Sequence, residues 1–302
     1  MDLVVPEKYR PYLRIGTCSW KFDAWKGLIY DPDKPYGPDD YLPDYTRHFN
    51  SVEIDQWFWS LFPGGVRLPD TSTVHTYVEL VPDDFVFTVK APNALTLTHF
   101  YARQPRRYAD FANRPNDHFL DLRLLEQFLD LVSPMDKKLG PIIFQFEYLN
   151  RQKMNSPKAF LDRLQEFFGK APKGFRYAIE TRNPNYLSDG FFECLRQLGL
   201  GFVFLEGYYM PPIGEVFDRY HPQTADFSIV RLHGPDRAEI EQQTDQVWDR
   251  IVSPKPEGLN AAARIGEFNA SRKVLTYVNI NNHFEGCAPI SAQRFVGELG
   301  RR

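Results

Sequence analysis

The feature that most constrains this chain is an alternation that runs along its whole length. Short apolar runs rich in β-branched and aromatic residues recur, and stretches with helical spacing separate them. Eight runs read as strands: Tyr12–Thr17, Ser51–Asp55, Phe85–Lys90, Ile142–Phe146, Arg176–Glu180, Phe202–Leu205, Phe227–Leu232 and Val274–Ile280. Strand followed by helix, repeated, requires parallel strands with right-handed crossovers. Eight such units in 302 residues predict an α/β protein, a closed parallel (β/α)8 TIM-type barrel. The rival is an open doubly wound sheet, which usually carries a glycine-rich phosphate turn after its first strand. Here that turn reads Gly16-Thr17-Cys18-Ser19-Trp20, without G-x-G-x-x-G spacing. No repeat, linker or low-complexity tract marks a boundary, so residues 1–302 are expected to form a single TIM-barrel domain.

The intervening helices carry their own signals. Asp70 precedes a stripe of Val74, Tyr77, Val78 and Val81, and Asp117 precedes one of Leu122, Leu125, Leu129 and Val132. Ser156 is a good N-cap and Pro157 suits the first helical position. Ser188 caps another helix, which Gly199 ends. Ile240, Thr244, Val247, Trp248 and Ile251 predict one continuous helix, a further one covers Leu259–Phe268, and Pro289 begins the last. The sixth unit, around Ile213–Tyr220, is short enough to be a single turn. The connections from Ala91 to about Asn116 and from Gly234 to about Asn260 are long, as lids and binding loops often are.

Chemistry collects at the carboxyl ends of the strands. Glu53 and Asp55 end the second, Lys90 the third, Gln145 and Glu147 the fourth, Glu180 and Arg182 the fifth, and Glu206 the sixth. Arg231 and His233 end the seventh, and Asn279, Asn281, Asn282 and His283 the eighth. Successive strand residues face opposite sides. Glu53 therefore shares a face with Asp55, Glu180 with Arg182, Arg231 with His233, and Asn279 with Asn281, against Val52, Ile179, Val230 and Val278. The apolar set must meet the helices, so the polar set faces the barrel axis. Buried charges are costly unless paired, and a fold that needed only a core would fill these positions with Val, Ile and Leu. Trp20, Trp57 and Phe58 follow the first two strands and are candidates for stacking on a ligand, and His99 in the third loop is placed to reach over the pocket.

Composition narrows the function classes. Net charge is −3, which argues against non-specific nucleic-acid binding, although Arg103, Arg106, Arg107 and Arg114 form a local basic patch. Cys18, Cys194 and Cys287 are far apart and form no CxxC pair, which fits neither a disulfide framework nor a zinc site and suits a reducing compartment. The first residues lack a signal-peptide pattern, and no stretch approaches the ~20 apolar residues of a membrane span. A cytoplasmic protein without membrane association is expected.

Seven motifs in order then bring a resemblance. GTCSW, FNSVEID, FVFTVKAP with LTH, LGPIIFQF, YAIETRNP, IVRLHG and NNHFEGCAP, spread from about Arg14 to Val296, resemble the family called domain of unknown function 72, the YecE-like proteins. The resemblance implies a TIM-type barrel and no assigned activity. It places the family's polar motif positions on Glu53, Lys90, His99, Gln145, Glu180, Arg182, His233 and Asn282. It also implies Ser where this chain has Cys18, and an aromatic-Asn-Asn pattern from which YVNINNH departs.

Three functions compete. The first is a metal-independent acid–base enzyme, a hydrolase of a phosphorylated or sugar-like substrate. Glu53, Glu180, Lys90 and His233 are its catalytic candidates. Trp20, Asp55, Trp57, His99, Gln145, Arg182, Arg231, Asn279, Asn281 and Asn282 are its candidates for holding an anionic or polyhydroxyl small molecule. No cofactor and no metal are expected on this reading. The second is a metal-dependent hydrolase or isomerase with Glu53, Glu180, Glu206 and His233 as ligands, disfavoured by the neighbouring cations and the absence of HxH or HExxH spacing. The third is a non-catalytic module that binds a nucleotide, sugar or nucleic acid.

Overall fold

The structure, a computed structural model, describes residues 3–234 and 237–301. Eight parallel strands form the barrel: β1 (Leu13–Thr17), β2 (Ser51–Ile54), β3 (Val86–Lys90), β4 (Leu139–Gln145), β5 (Tyr177–Glu180), β6 (Gly201–Gly207), β7 (Phe227–Gly234) and β8 (Leu275–Ile280). Their order in the sheet is β1-β8-β7-β6-β5-β4-β3-β2. One principal helix follows each: α1 (Tyr41–Tyr45), α2 (Thr71–Glu79), α3 (Leu122–Val132), α4 (Pro157–Lys170), α5 (Asp189–Leu198), α6 (Ile213–Tyr220), α7 (Pro256–Ser271) and α8 (Ala288–Glu298). A second short helix, Arg237–Thr244, stands between β7 and α7. Among the described residues no helix is long and apolar enough to cross a membrane.

The barrel closes between β1 and β2 without a regular ladder. Cys18 pairs with Glu53 in a single parallel bridge, and the Ser19 N–H donates to the Glu53 carbonyl at 3.0 Å. Side chains serve the other amides of β1 that face this seam. Ile15 N–H donates to Asn50 Oδ1 at 2.7 Å, and Thr17 N–H donates to the Tyr45 hydroxyl at 2.9 Å. Tyr45 in turn donates to the Ser51 carbonyl at 3.1 Å. A Cβ on Gly16 would stand 2.1 Å from the Ser51 carbonyl oxygen, so only glycine lets the two strands approach here.

The barrel interior is layered. Ile143, Ala178, Ile229 and Tyr277, with Val203 and Phe227, fill its lower part as one buried apolar cluster. Two residues further along the same strands come Gln145, Glu180, Arg231 and Asn279, all buried. The opposite parity, including Phe144, Ile179, Val230, Leu232, Val278 and Ile280, joins the outer core against the helices. Period-two alternation thus turns a sequence with apolar and polar residues side by side into a dry shell with a polar top.

Caps explain most helix starts. The Ser156 and Ser188 hydroxyls accept from Ala159 N–H and Phe191 N–H, and Gly199 takes φ 67° past the end of α5. α6 is a full two-turn helix, longer than the single turn its short pattern allows, with Ile213, Val216 and Phe217 buried. Two expectations change. α3 begins after Asp121, whose carboxylate accepts from Leu124 N–H at 2.8 Å, and not after Asp117, because Leu120 is held at φ 54°. The helix expected through Ile251 stops at Thr244, because Asp245 and Gln246 take left-handed conformations.

Candidate functional site

A cavity of about 580 Å³ opens at the carboxyl ends of the strands. Lys90, Gln145, Arg182, Arg231 and His233 line it together with Asp55, Asn281 and Asn282. Cys18 and Glu147 also reach its wall.

Its floor is a buried ion cluster centred on Arg231, which is 1% exposed. Arg231 Nε donates to Glu53 Oε2 at 2.8 Å and Nη2 to Glu53 Oε1 at 2.6 Å, a bidentate pair. Its Nη1 donates to Glu180 and, at 3.3 Å, to Gln145 Oε1. Asn279 Nδ2 donates to Glu53 at 3.0 Å and to Thr88 at 2.9 Å, and Arg182 Nε donates to Glu180 at 3.3 Å. Six strands therefore converge on one network. Burial pushes the Glu180 carboxyl up, but Arg231, Arg182 and Lys90 outweigh it and hold the group below its ordinary value. Burial likewise works against the Arg231 charge, and Glu180 and Glu53 outweigh it, so the guanidinium stays protonated.

Above this floor the groups are less satisfied. Lys90 Nζ lies 3.8 Å from the centre of the Phe58 ring. Burial, then the charge of Arg231, lowers the pKa of Lys90 to about 8. Burial, then Glu53, raises that of Asp55. His233 is buried with Nδ1 unpartnered among the described residues, and its Nε2 lies 3.5 Å from Cys18 Sγ. Burial and the nearby Arg231, Arg182 and Lys90 push His233 well down, so the ring is neutral. Burial and Glu53 push the Cys18 thiol well up, so it is not a ready thiolate. Arg182 stacks over Tyr208 at 3.9 Å, and the Tyr208 ring faces His233.

The structure does not bring every candidate to the cavity. Trp20 is 1% exposed and packs edge-on against Tyr77. Trp57 stacks on the same Tyr77 ring, in the layer between barrel and helices. His99 bonds to Thr98 and lines a separate shallow depression with Arg151 and Lys153. Glu53, Glu180 and Asn279 lie beneath the cavity, fully buried. Glu206 turns away and accepts from Ile213 N–H at the start of α6.

Other wall residues were not among the site candidates read from the sequence. Phe22, Trp59, Tyr101 and Tyr208 supply aromatic surface, and Arg237, Glu241 and Trp248 come from the segment after β7. Glu241 bridges Arg237 at 2.7 Å and His283 at 3.3 Å. The available signal was position alone, since Tyr208 directly follows a strand end and Arg237 opens the long seventh connection.

Cys18, Glu53 and His233 present ligand atoms within 4.8 Å of one another. Both Glu53 oxygens already accept from Arg231, whose fixed positive charge a divalent cation would have to face. The donor set does not fit a metal while Arg231 holds this place.

Comparison with known proteins agrees with this architecture. A family model described as "Protein of unknown function DUF72" matches residues 14–302. The UPF0759 protein YecE of Escherichia coli strain K12 is 26% identical over 256 residues, covering 78% of each chain. A crystal structure of a DUF72 family protein from Thermotoga maritima superposes with TM-score 0.64 at 23% identity, covering 94% of this chain and 97% of that one. One from Enterococcus faecalis gives TM-score 0.60 at 18% identity, covering 94% and 95%. At these identities the two structures speak to the fold alone.

Proposed function

We propose, for a chain that belongs to the family described as protein of unknown function DUF72, that the cavity binds a small anionic or polyhydroxyl molecule and performs acid–base chemistry on it without a metal. One observation carries this reading. A carboxyl with a raised pKa, Asp55, and an amine with a lowered one, Lys90, line the same cavity above a fully paired ionic floor. Groups whose environments move them toward working pH are the ones suited to exchange protons with a substrate. On this reading Asp55 is the acid and Lys90 the base, and Arg182 and Asn282 hold the ligand. Glu53 and Glu180 act through Arg231 as positioning residues, because their oxygens are already engaged. Cleavage of a phosphoester or glycosidic bond is the hydrolytic form of the same chemistry.

The test is ligand-induced stabilisation, measured with EDTA present. Glycerol 3-phosphate, glucose 6-phosphate and gluconate are titrated against the wild type and R182Q. A ligand at a hundred times its Kd stabilises by about 2.7 kcal/mol. Stabilisation of the wild type that R182Q loses supports the reading. No stabilisation by any of the three, or stabilisation that R182Q keeps in full, overturns it.

A further inference from the structure

Lys90 ends β3, is 8% exposed and lines the cavity. An ammonium has three donors, yet no hydrogen bond or ion pair to Lys90 Nζ exists among the described residues. Its contact is the face of Phe58 at 3.8 Å. The charges of the floor beneath it are paired: Glu53 and Glu180 with Arg231, and Arg182 with Glu180. The charged groups facing Lys90 are Arg231 from β7, Glu53 and Asp55 from the β2 end, and Glu180 from β5. A buried, unpaired ammonium is costly, and a neighbouring guanidinium adds to the cost. Burial and Arg231 bring the pKa down to about 8, so near neutral pH a substantial fraction of Lys90 is the neutral amine, which presents a lone pair to the cavity. A site built only to attract anions gains nothing from a cation that sheds its charge, whereas a site that needs a nucleophile does.

We propose that Lys90 is an amine nucleophile that forms an imine with the aldehyde or ketone carbonyl of a small polyhydroxyl or anionic substrate. This deepens the reading above and rests on it. The lone pair of Nζ attacks the carbonyl carbon. The C–N bond forms, and the π electrons of the carbonyl move to its oxygen, which takes a proton. Nζ loses a proton and gives a carbinolamine. Asp55 protonates the hydroxyl, which leaves as water while the C=N bond forms, and the iminium nitrogen returns its proton to the Asp55 carboxylate. One amine and one carbonyl become one imine and one water, with no change of oxidation state.

The experiment is reductive trapping on the full chain with glycolaldehyde, dihydroxyacetone or pyruvate and cyanoborohydride, read by peptide mass spectrometry. Lys158, whose side chain is 81% exposed, is the internal reference within the same sample. At pH 7.5 a pKa of about 8 leaves on the order of a hundred-fold more neutral amine than an ordinary lysine has. The expected result with at least one probe is labelling of Lys90 at least ~10-fold faster than Lys158, with the Lys90 rate levelling off above about pH 8. Labelling no faster than Lys158 with all three probes overturns the proposal. It does so even if gluconate still stabilises the protein, in which case the cavity reading stands and the imine alone falls. K90R, checked for native folding by far-UV circular dichroism and a cooperative urea transition, is expected to lose the fast-labelled site, and a fast-labelled peptide that persists in K90R also overturns the assignment.

Discussion

Replacing Arg231 with Met removes the centre of the buried network and keeps much of its volume. Glu53 then retains Asn279 Nδ2 at 3.0 Å, and Glu180 retains Arg182 at 3.3 Å, but both lose their strongest donors. Removing one partner of a buried pair costs about 3–5 kcal/mol because the remaining charge is uncompensated. Two carboxylates are stranded here, each with one partner left, so a loss of about 4 kcal/mol is expected, a large part of the ~5–15 kcal/mol that holds a domain folded. The loss has a pH signature. In the wild type the Glu180 pKa is lowered, so its contribution is present above the ordinary value of 4.5 and disappears as pH falls through the folded value. In R231M burial dominates and the folded pKa rises. The stranded carboxyl then favours the folded state only below 4.5 and weakens it progressively as pH rises. The gap between variant and wild type is therefore widest near pH 8 and narrows toward pH 5, by about 1.4 kcal/mol for each unit the pKa has moved. Urea unfolding at both pH values measures it. The triple variant R231M/E53Q/E180Q, which removes all three of these charges together, is expected to regain much of the loss. A deficit below about 1 kcal/mol, or one that is the same at both pH values, refutes a network held by charge pairing.

Other perturbations probe separate features. G16A forces a Cβ to within 2.1 Å of the Ser51 carbonyl and is expected to cost more than about 3 kcal/mol in thermal unfolding. G169A in α4 meets nothing within 4 Å and is expected to gain about 0.5–1 kcal/mol. Y45F leaves the buried Thr17 N–H without its acceptor and should cost about 1–3 kcal/mol by urea titration. H283A removes the partner that ties Glu241, and so the Arg237–Thr244 helix, to the strand ends. Amide hydrogen exchange should speed up over residues 237–248 while β7 is unchanged.

The barrel was legible because each strand carried two signals at once. β7 is the clearest case: Ile229, Arg231 and His233 alternate with Val230 and Leu232, so period and direction are both written in the residues. β4 begins three residues before the expected Ile142, because Gly140 and Pro141, residue types that seldom occupy strand interiors, sit inside the strand at Leu139–Gln145. The convergence of Glu53, Glu180 and Arg231 follows from parity and closure together, but their pairing does not, since parity says which way a side chain points and not which one it meets. The aromatics were less legible still. Trp20 and Trp57 follow strand ends just as Phe58 does, yet the turn at Ser19, with φ 73°, carries Trp20 into the layer around Tyr77. Backbone conformations of this kind leave little trace in residue type. The walls contributed by Tyr208 and Arg237 depend on loop paths and were invisible for the same reason.

The seam between the first and last-joined strands has a consequence for assembly. Asn50 and the phenol of Tyr45 stand in for peptide groups there, and both arrive with the segment that precedes β2. Were the seam between β1 and β2 to open, the eight strands would form an open sheet with Arg231 and Glu180 on it and Glu53 at its free lip. Glu53 reaches its guanidinium only when the cylinder shuts. Closure of the cylinder and pairing of Glu53 with Arg231 thus depend on the same seam, so a variant that loosens the seam is expected to loosen the charge network with it.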